Sequence, residues 1–318
     1  MNTRFGLLLI VLLVAVTRVF AQERATLIVV AGAAGEDEYA KEFAQQVEAW
    51  KKVCAQAGAK SVIIGEGSSD SEADRDRLKQ VLDAETKNGA DELWLVLVGH
   101  GTFDGKDAKF NLRGPDLSSL DLAEWLKPFQ RPLAIIATAS ASAPFLSKLA
   151  GKGRVVVSST RSGNEQNYAR FGKFFAEAIG DPKSDLDKDG QISLLEAFLS
   201  GSQRTAEFYK TEGRLATEHA LIEDNGDGLG TPADWFRGVR ATKQAKDGAT
   251  LDGTRAHQFH LVRSFAEKQL APETRARRDA LELKIAKLRE GKTKMAEAKY
   301  FAELEKLLLE LAALYEAT

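Results

Sequence analysis

The chain has 318 residues and a formal net charge of −2, a balance that removes any whole-chain electrostatic case for nucleic acid or an anionic membrane surface. Its single cysteine, Cys54, excludes an intramolecular disulfide. The length exceeds the ~100–200 residues of one ordinary domain, so a large core with an appendage is expected.

Met1 to Ala21 reads as a secretory signal: Arg4 charges the start, Phe5 to Val16 is apolar, and Val19-Phe20-Ala21 offers small residues for cleavage. The apolar stretch falls short of the ~20 residues a bilayer requires. The expectation is an exported protein, periplasmic or extracellular, with no stable membrane span after cleavage.

Thr26 to Ala31 is β-branched and apolar and breaks at Gly32-Ala33-Ala34-Gly35. Glu38 to Ala57 then carries Tyr39, Phe43, Val47, Trp50 and Cys54 at helical spacing, which makes Cys54 a packed core thiol. Strand Ser61–Ile64 and a polar-faced helix over 74–87 follow. Next come strand Glu92–Val98, helix Leu120–Phe129, strand Leu133–Ala139, a short helix near Phe145–Leu149, strand Arg154–Ser159 and helix Tyr168–Ile179. Alternation of this kind predicts parallel βαβ units, an α/β fold with helices on both faces of a mainly parallel sheet. Ala108 to Leu112 alternates between turn residues and predicts a small β excursion.

From Ser264 the pattern changes. Leu281, Ile285 and Leu288, then Leu304, Leu308, Leu311 and Tyr315, repeat at coiled-coil spacing about Gly291-Lys292-Thr293, which predicts an antiparallel helical hairpin. Such a hairpin either packs on the domain or forms an oligomer.

The chemistry-bearing residues sit where an open parallel sheet places ligands, beyond the carboxyl ends of strands. One strand runs into Gly99-His100-Gly101, another into Ala139-Ser140-Ala141-Ser142. At these motifs, over roughly Thr26 to Lys210, the chain resembles the caspase and legumain cysteine peptidases. The legumain branch ends the nucleophile's strand Ala-Cys-Glu-Ser-Gly. Ala139 to Ala143 matches it with Ser140 in the cysteine's place, and a shifted register would put Thr138 there. The resemblance implies a three-layer caspase-like domain with His100, Ser140 and Gly101 as the catalytic set. It also implies a specificity loop at Ser158, Thr160 and Arg161. Asp104 is the nearest acid to His100.

The resemblance leaves three readings. The leading one is a catalytically silent homologue that binds a peptide or protein ligand. The alternatives are an active hydrolase using Ser140 and His100, and a structural interaction module acting through the helical hairpin. A serine hydroxyl needs a close, oriented base that a thiol needs less.

Asp185 to Glu196 matches an EF-hand loop: Asp185, Asp187 and Asp189 supply carboxylates, Gln191 a carbonyl, Ser193 the ninth position and Glu196 a bidentate carboxylate. Gly190 permits the turn, and Gly180-Asp181-Pro182 breaks the incoming helix. Calcium is the expected ligand. A weaker version follows at Glu223, Asn225 and Asp227, with Asp234 as the candidate closing ligand. His219, His257 and His260 show no ligand spacing of their own. The expected organisation is a signal segment (1–21), an α/β domain (22–210) that includes the loop 185–196, an extension (211–261) with the acidic loop 223–234, and the hairpin (262–318).

Overall fold

The computed structural model describes residues 24–67, 73–246 and 249–316. The signal segment therefore lies outside the described residues. A seven-stranded sheet forms the centre. It contains β1 (Thr26–Ala31), β2 (Lys60–Ile64), β3 (Leu93–Val98), β7 (Leu133–Ala137), β8 (Arg154–Ser158), β9 (Leu221–Glu223) and β10 (Thr231–Pro232). The excursion after β3 supplies β4 (Gly101–Phe103), β5 (Ala108–Phe110) and β6 (Leu117–Ser118), an antiparallel sheet of their own.

The strand order is β10-β9-β8-β7-β3-β1-β2, parallel from β2 to β8, with β9 and β10 antiparallel at the edge. The stretch read as an extension thus completes the main sheet. Each central strand is buried on both faces, so its sequence is a continuous apolar run. Alternate residues divide between two cores. Leu27, Val29, Trp94 and Val96 face α1 (Asp37–Ala57), α5 (Phe171–Ala178) and α6 (Leu194–Thr211). Ile28, Val30, Leu95 and Leu97 face α2 (Asp74–Ala84), α3 (Ser119–Leu126) and α4 (Ala143–Leu149). This is the three-layer α/β architecture the alternating pattern predicts.

Cys54 is buried in the first of these cores, as its helical spacing predicts. The C-terminal arm comprises α7 (Phe265–Gln269), α8 (Pro272–Glu290) and α9 (Glu297–Glu316). Within the arm Arg278 of α8 pairs with Glu267 of α7 at 2.6 Å, and Gln258, whose Nε2 donates to Asp279 O and Glu282 Oε2, ties the arm to the domain. Helix α9 leaves Phe301, Leu308, Leu309 and Tyr315 exposed. Among the described residues no helix is long and apolar enough to cross a membrane.

Candidate functional site

The order of the strands makes the chain reverse its direction of travel across the sheet between β1 and β3, the position at which an open α/β sheet forms its crevice. His100 leaves β3 there. Its ring lies edge-on to Tyr39 and Phe43 of α1, with centroids 4.6 and 5.1 Å away, and 5.7 Å from Tyr168. Burial among these rings holds its pKa below the usual histidine range, opposed by a hydrogen bond to the backbone of Ala34 and by the charge of Glu36. Asp104 does not orient it. That carboxylate accepts the amides of Lys106 and Asp107 within its own turn.

Ser140 follows the neighbouring strand β7 and is 4% exposed. Its Oγ accepts the Gly101 N–H at 3.3 Å and donates to the Gly101 carbonyl at 3.3 Å. No side-chain base is among these partners. A Cβ at position 101 would collide with the Ser140 carbonyl, so glycine is what permits the two turns to touch. Ala141 then adopts φ +54°, a left-handed conformation that costs a residue with a side chain free energy. Its amide donates to Glu165 O at 2.8 Å, which fixes the turn. Thr138 is committed elsewhere: its hydroxyl donates to Leu97 O at 2.7 Å, and Gly172 of α5 packs directly over it.

The loop after β8 also turns inward. Ser158 and Thr160 are fully buried; Ser158 Oγ donates to Thr160 O at 2.8 Å, and Thr160 Oγ1 accepts the Ala143 amide at 3.0 Å. Thr160 therefore stitches the β8 loop to the start of α4 and Ser158 closes the loop on itself, and neither lines an open cleft. Arg161 remains at the surface but pairs with Glu165 at 3.3 Å. Glu165 also holds His219 Nδ1 at 2.6 Å. His219 stands at one side of an apolar cavity of about 530 Å³ lined by Leu199, Tyr209, Ala220 and Phe236. Glu218, on the same cavity, is 4% exposed and accepts the amides of Arg170 and Phe171 and the Tyr209 hydroxyl. Burial raises its pKa despite those three donors.

The loop 185–196 has the turn geometry its sequence implies, with φ +65° at Lys188 and +86° at Gly190. A short 3₁₀ turn at Pro182–Ser184 precedes it in place of a helix. Asp185 accepts the amides of Lys188 and Gly190, Asp187 that of Asp189, and Asp189 that of Gln191. The carboxylates of Asp185, Asp187 and Asp189 offer ligand atoms that all lie within 4.8 Å of one another; Asp187, Glu196 and His257 form a second such group. Ser193 caps α6 by a capping box with Glu196. Glu196 is fully buried and accepts the amide of Leu186 at 2.7 Å. The oxygens of Asp185, Asp187 and Asp189, with Glu196 anchored on α6, fit a hard cation such as calcium, and His257 Nε2 lies 3.0 Å from Asp187 Oδ2 at the edge of this set.

In the second loop, Glu223 accepts the Gly226 amide, Asn225 that of Asp227 and Asp227 that of Leu229. Asp234 lies in a separate 3₁₀ turn, Ala233–Trp235, on the wall of the apolar cavity. No hydrogen bond among the described residues joins it to Glu223, Asn225 or Asp227.

Sequence reasoning missed Glu165, Tyr168, Glu218 and also Asp252, which accepts the Asp224 amide at 3.0 Å and the Thr231 hydroxyl at 2.6 Å. Each acts through a contact made across many residues of chain, and none belongs to a local motif.

No protein-family model matches the chain, and no curated protein sequence matches it. Among solved structures it is similar to the initiator caspase Dronc of Drosophila at 11% identity and TM-score 0.43, covering 65% of this chain and 81% of that one. A Geobacter sulfurreducens protein is similar at 11% identity and TM-score 0.42, with 63% and 92% covered. Caspase-1 from Spodoptera frugiperda is similar at 10% identity and TM-score 0.41, with 64% and 87% covered.

Proposed function

We propose that the chain is an exported peptidase homologue of the caspase and legumain type that does not cleave peptides, holds a peptide or protein ligand at the carboxyl ends of its central strands, and is stabilised by calcium. The observation that carries the silent reading is the bonding of Ser140. Its hydroxyl proton is spent on Gly101 O, and the Gly101 amide, the group an oxyanion would need, is spent on Ser140 Oγ. A buried hydroxyl engaged in both directions and lacking a bonded base is a poor nucleophile.

The test is peptide hydrolysis by the wild type and by Ser140→Cys. A silent wild type that still binds peptides supports the reading. Cleavage by the wild type that disappears in Ser140→Ala overturns it. Ala141 favours that second outcome: a left-handed residue directly after the candidate nucleophile is the kind of strain that accumulates at working active sites.

The calcium part is supported by the three convergent carboxylates of the loop 185–196, which repel one another without a cation. Calorimetric titration of the chelator-treated protein with calcium tests it, with no heat of binding as the refuting result. Export is supported by the pattern of residues 1–21 alone, and the N-terminal mass of the secreted protein checks it.

A further inference from the structure

The two acidic loops share one hydrogen-bond plan. In the first, the residue at position one accepts the amide at position four (Asp185 from Lys188), and positions three and five each accept the amide two residues on. In the second, Glu223 accepts from Gly226, Asn225 from Asp227 and Asp227 from Leu229, the same positions in the same order. The first loop is closed by Glu196, which accepts the position-two amide of Leu186 at 2.7 Å. In the second the position-two amide belongs to Asp224, and it donates to Asp252 Oδ1 at 3.0 Å. Asp252 therefore occupies the closing role from far along the chain, held in place by Thr231 Oγ1 on its other oxygen at 2.6 Å.

A separate observation points to a ligand. Glu223 is fully buried, and its Oε2 has no hydrogen-bond partner. A buried carboxylate oxygen left bare is costly to keep ionised, and a bound cation relieves that cost. Asp224 and Asp252 are buried beside it, 5% and 3% exposed.

We infer that the second loop is a calcium site whose ligands are Glu223, Asn225, Asp227 and the Leu229 carbonyl, closed by Asp252 and not by Asp234. It deepens the calcium part of the proposed function and rests on it only in the choice of cation.

The experiment is calcium titration by calorimetry on the full chain, comparing wild type with Glu196→Gln, Asp252→Asn and Asp234→Asn. Two ions should bind the wild type and Asp234→Asn. Each of Glu196→Gln and Asp252→Asn should weaken one site at least tenfold and spare the other. Both Asp252 oxygens accept hydrogen bonds, so the EDTA baseline of Asp252→Asn will shift, and the quantity to read is its melting-temperature gain on adding calcium, which should be smaller than in the wild type. One ion in the wild type, lost in Glu196→Gln and unaffected by Asp252→Asn, overturns the inference and leaves the calcium reading of the first loop intact. No ion at all overturns both. A site lost in Asp234→Asn but kept in Asp252→Asn overturns the closing role assigned to Asp252.

Discussion

Ser140 and Gly101 hold each other in both directions, the amide donating to the hydroxyl and the hydroxyl donating to the carbonyl, each at 3.3 Å. This pair joins the turns after two adjacent parallel strands, β3 and β7. It makes the candidate nucleophile part of the scaffold. Ser140→Ala should then cost about 1–3 kcal/mol, because two buried backbone groups lose their partner. Urea unfolding at pH 7 measures it. A change within error would mean that water reaches Gly101, and that Ser140 is freer for chemistry than its bonding implies.

Calcium removal gives the second expectation. A ligand at a hundred times its dissociation constant stabilises the native state by about 2.7 kcal/mol per site. EDTA should lower the melting temperature and calcium restore it, with the response reduced in Glu196→Gln. The two oxygens of Glu196 already bind Leu186 N and the Ser193 cap, so the variant also weakens the start of α6. The size of the calcium-dependent shift, and not the EDTA baseline, is therefore the informative quantity.

The sheet was legible in the sequence because a strand buried on both faces must be apolar throughout. Thr26–Ala31 agrees to the residue and the other four parallel strands to within two positions at either end, whereas the edge strands β9 and β10, in the stretch read as an extension, carry too few residues to show a pattern. The first calcium-type loop was legible because its ligand candidates fall within twelve consecutive residues. Its partner was only half legible. Glu223, Asn225 and Asp227 are local, but Asp252, which accepts the Asp224 amide, reaches the loop through a fold that no spacing rule encodes. The motifs His100-Gly101 and Ser140 could be placed at strand ends from pattern alone. That Ser140 would be spent on Gly101, and that Ser158 and Thr160 would turn inward, depends on how three loops pack together.

Glu218 anchors the beginning of α5. One carboxylate oxygen accepts Arg170 N at 2.8 Å and the Tyr209 hydroxyl at 2.9 Å, and the other accepts Phe171 N at 3.0 Å. Glu218→Ala should destabilise the chain by about 2–4 kcal/mol, since three donors are left without an acceptor at a buried site. Tyr209→Phe should cost about 1 kcal/mol or less, because the carboxylate keeps its two amides. Denaturant midpoints on both variants test the ranking. Equal costs would place the stability in the Tyr209 contact and not in the helix start.

The pH dependence turns on His260, which is 7% exposed. Burial, with His257 adding to it, lowers its pKa to about 4, against the upward pull of Asp189 and Glu267. Its Nδ1 lies 3.3 Å from Gln258 O, and Nε2 has no partner. In the unfolded chain the same ring titrates near 6.5. Below that pH the unfolded state takes up a proton that the folded state refuses, so stability is full at neutral pH and is lost as the pH falls from 6.5 toward 4. Between pH 7.5 and 5 the loss from this residue should be about 2 kcal/mol. His260→Gln, which keeps a polar side chain but cannot take up that proton, should flatten the decline over this window. Unfolding curves with calcium held saturating keep the acidic loops constant across the comparison. A decline of the same size in His260→Gln would assign the acid sensitivity to another group.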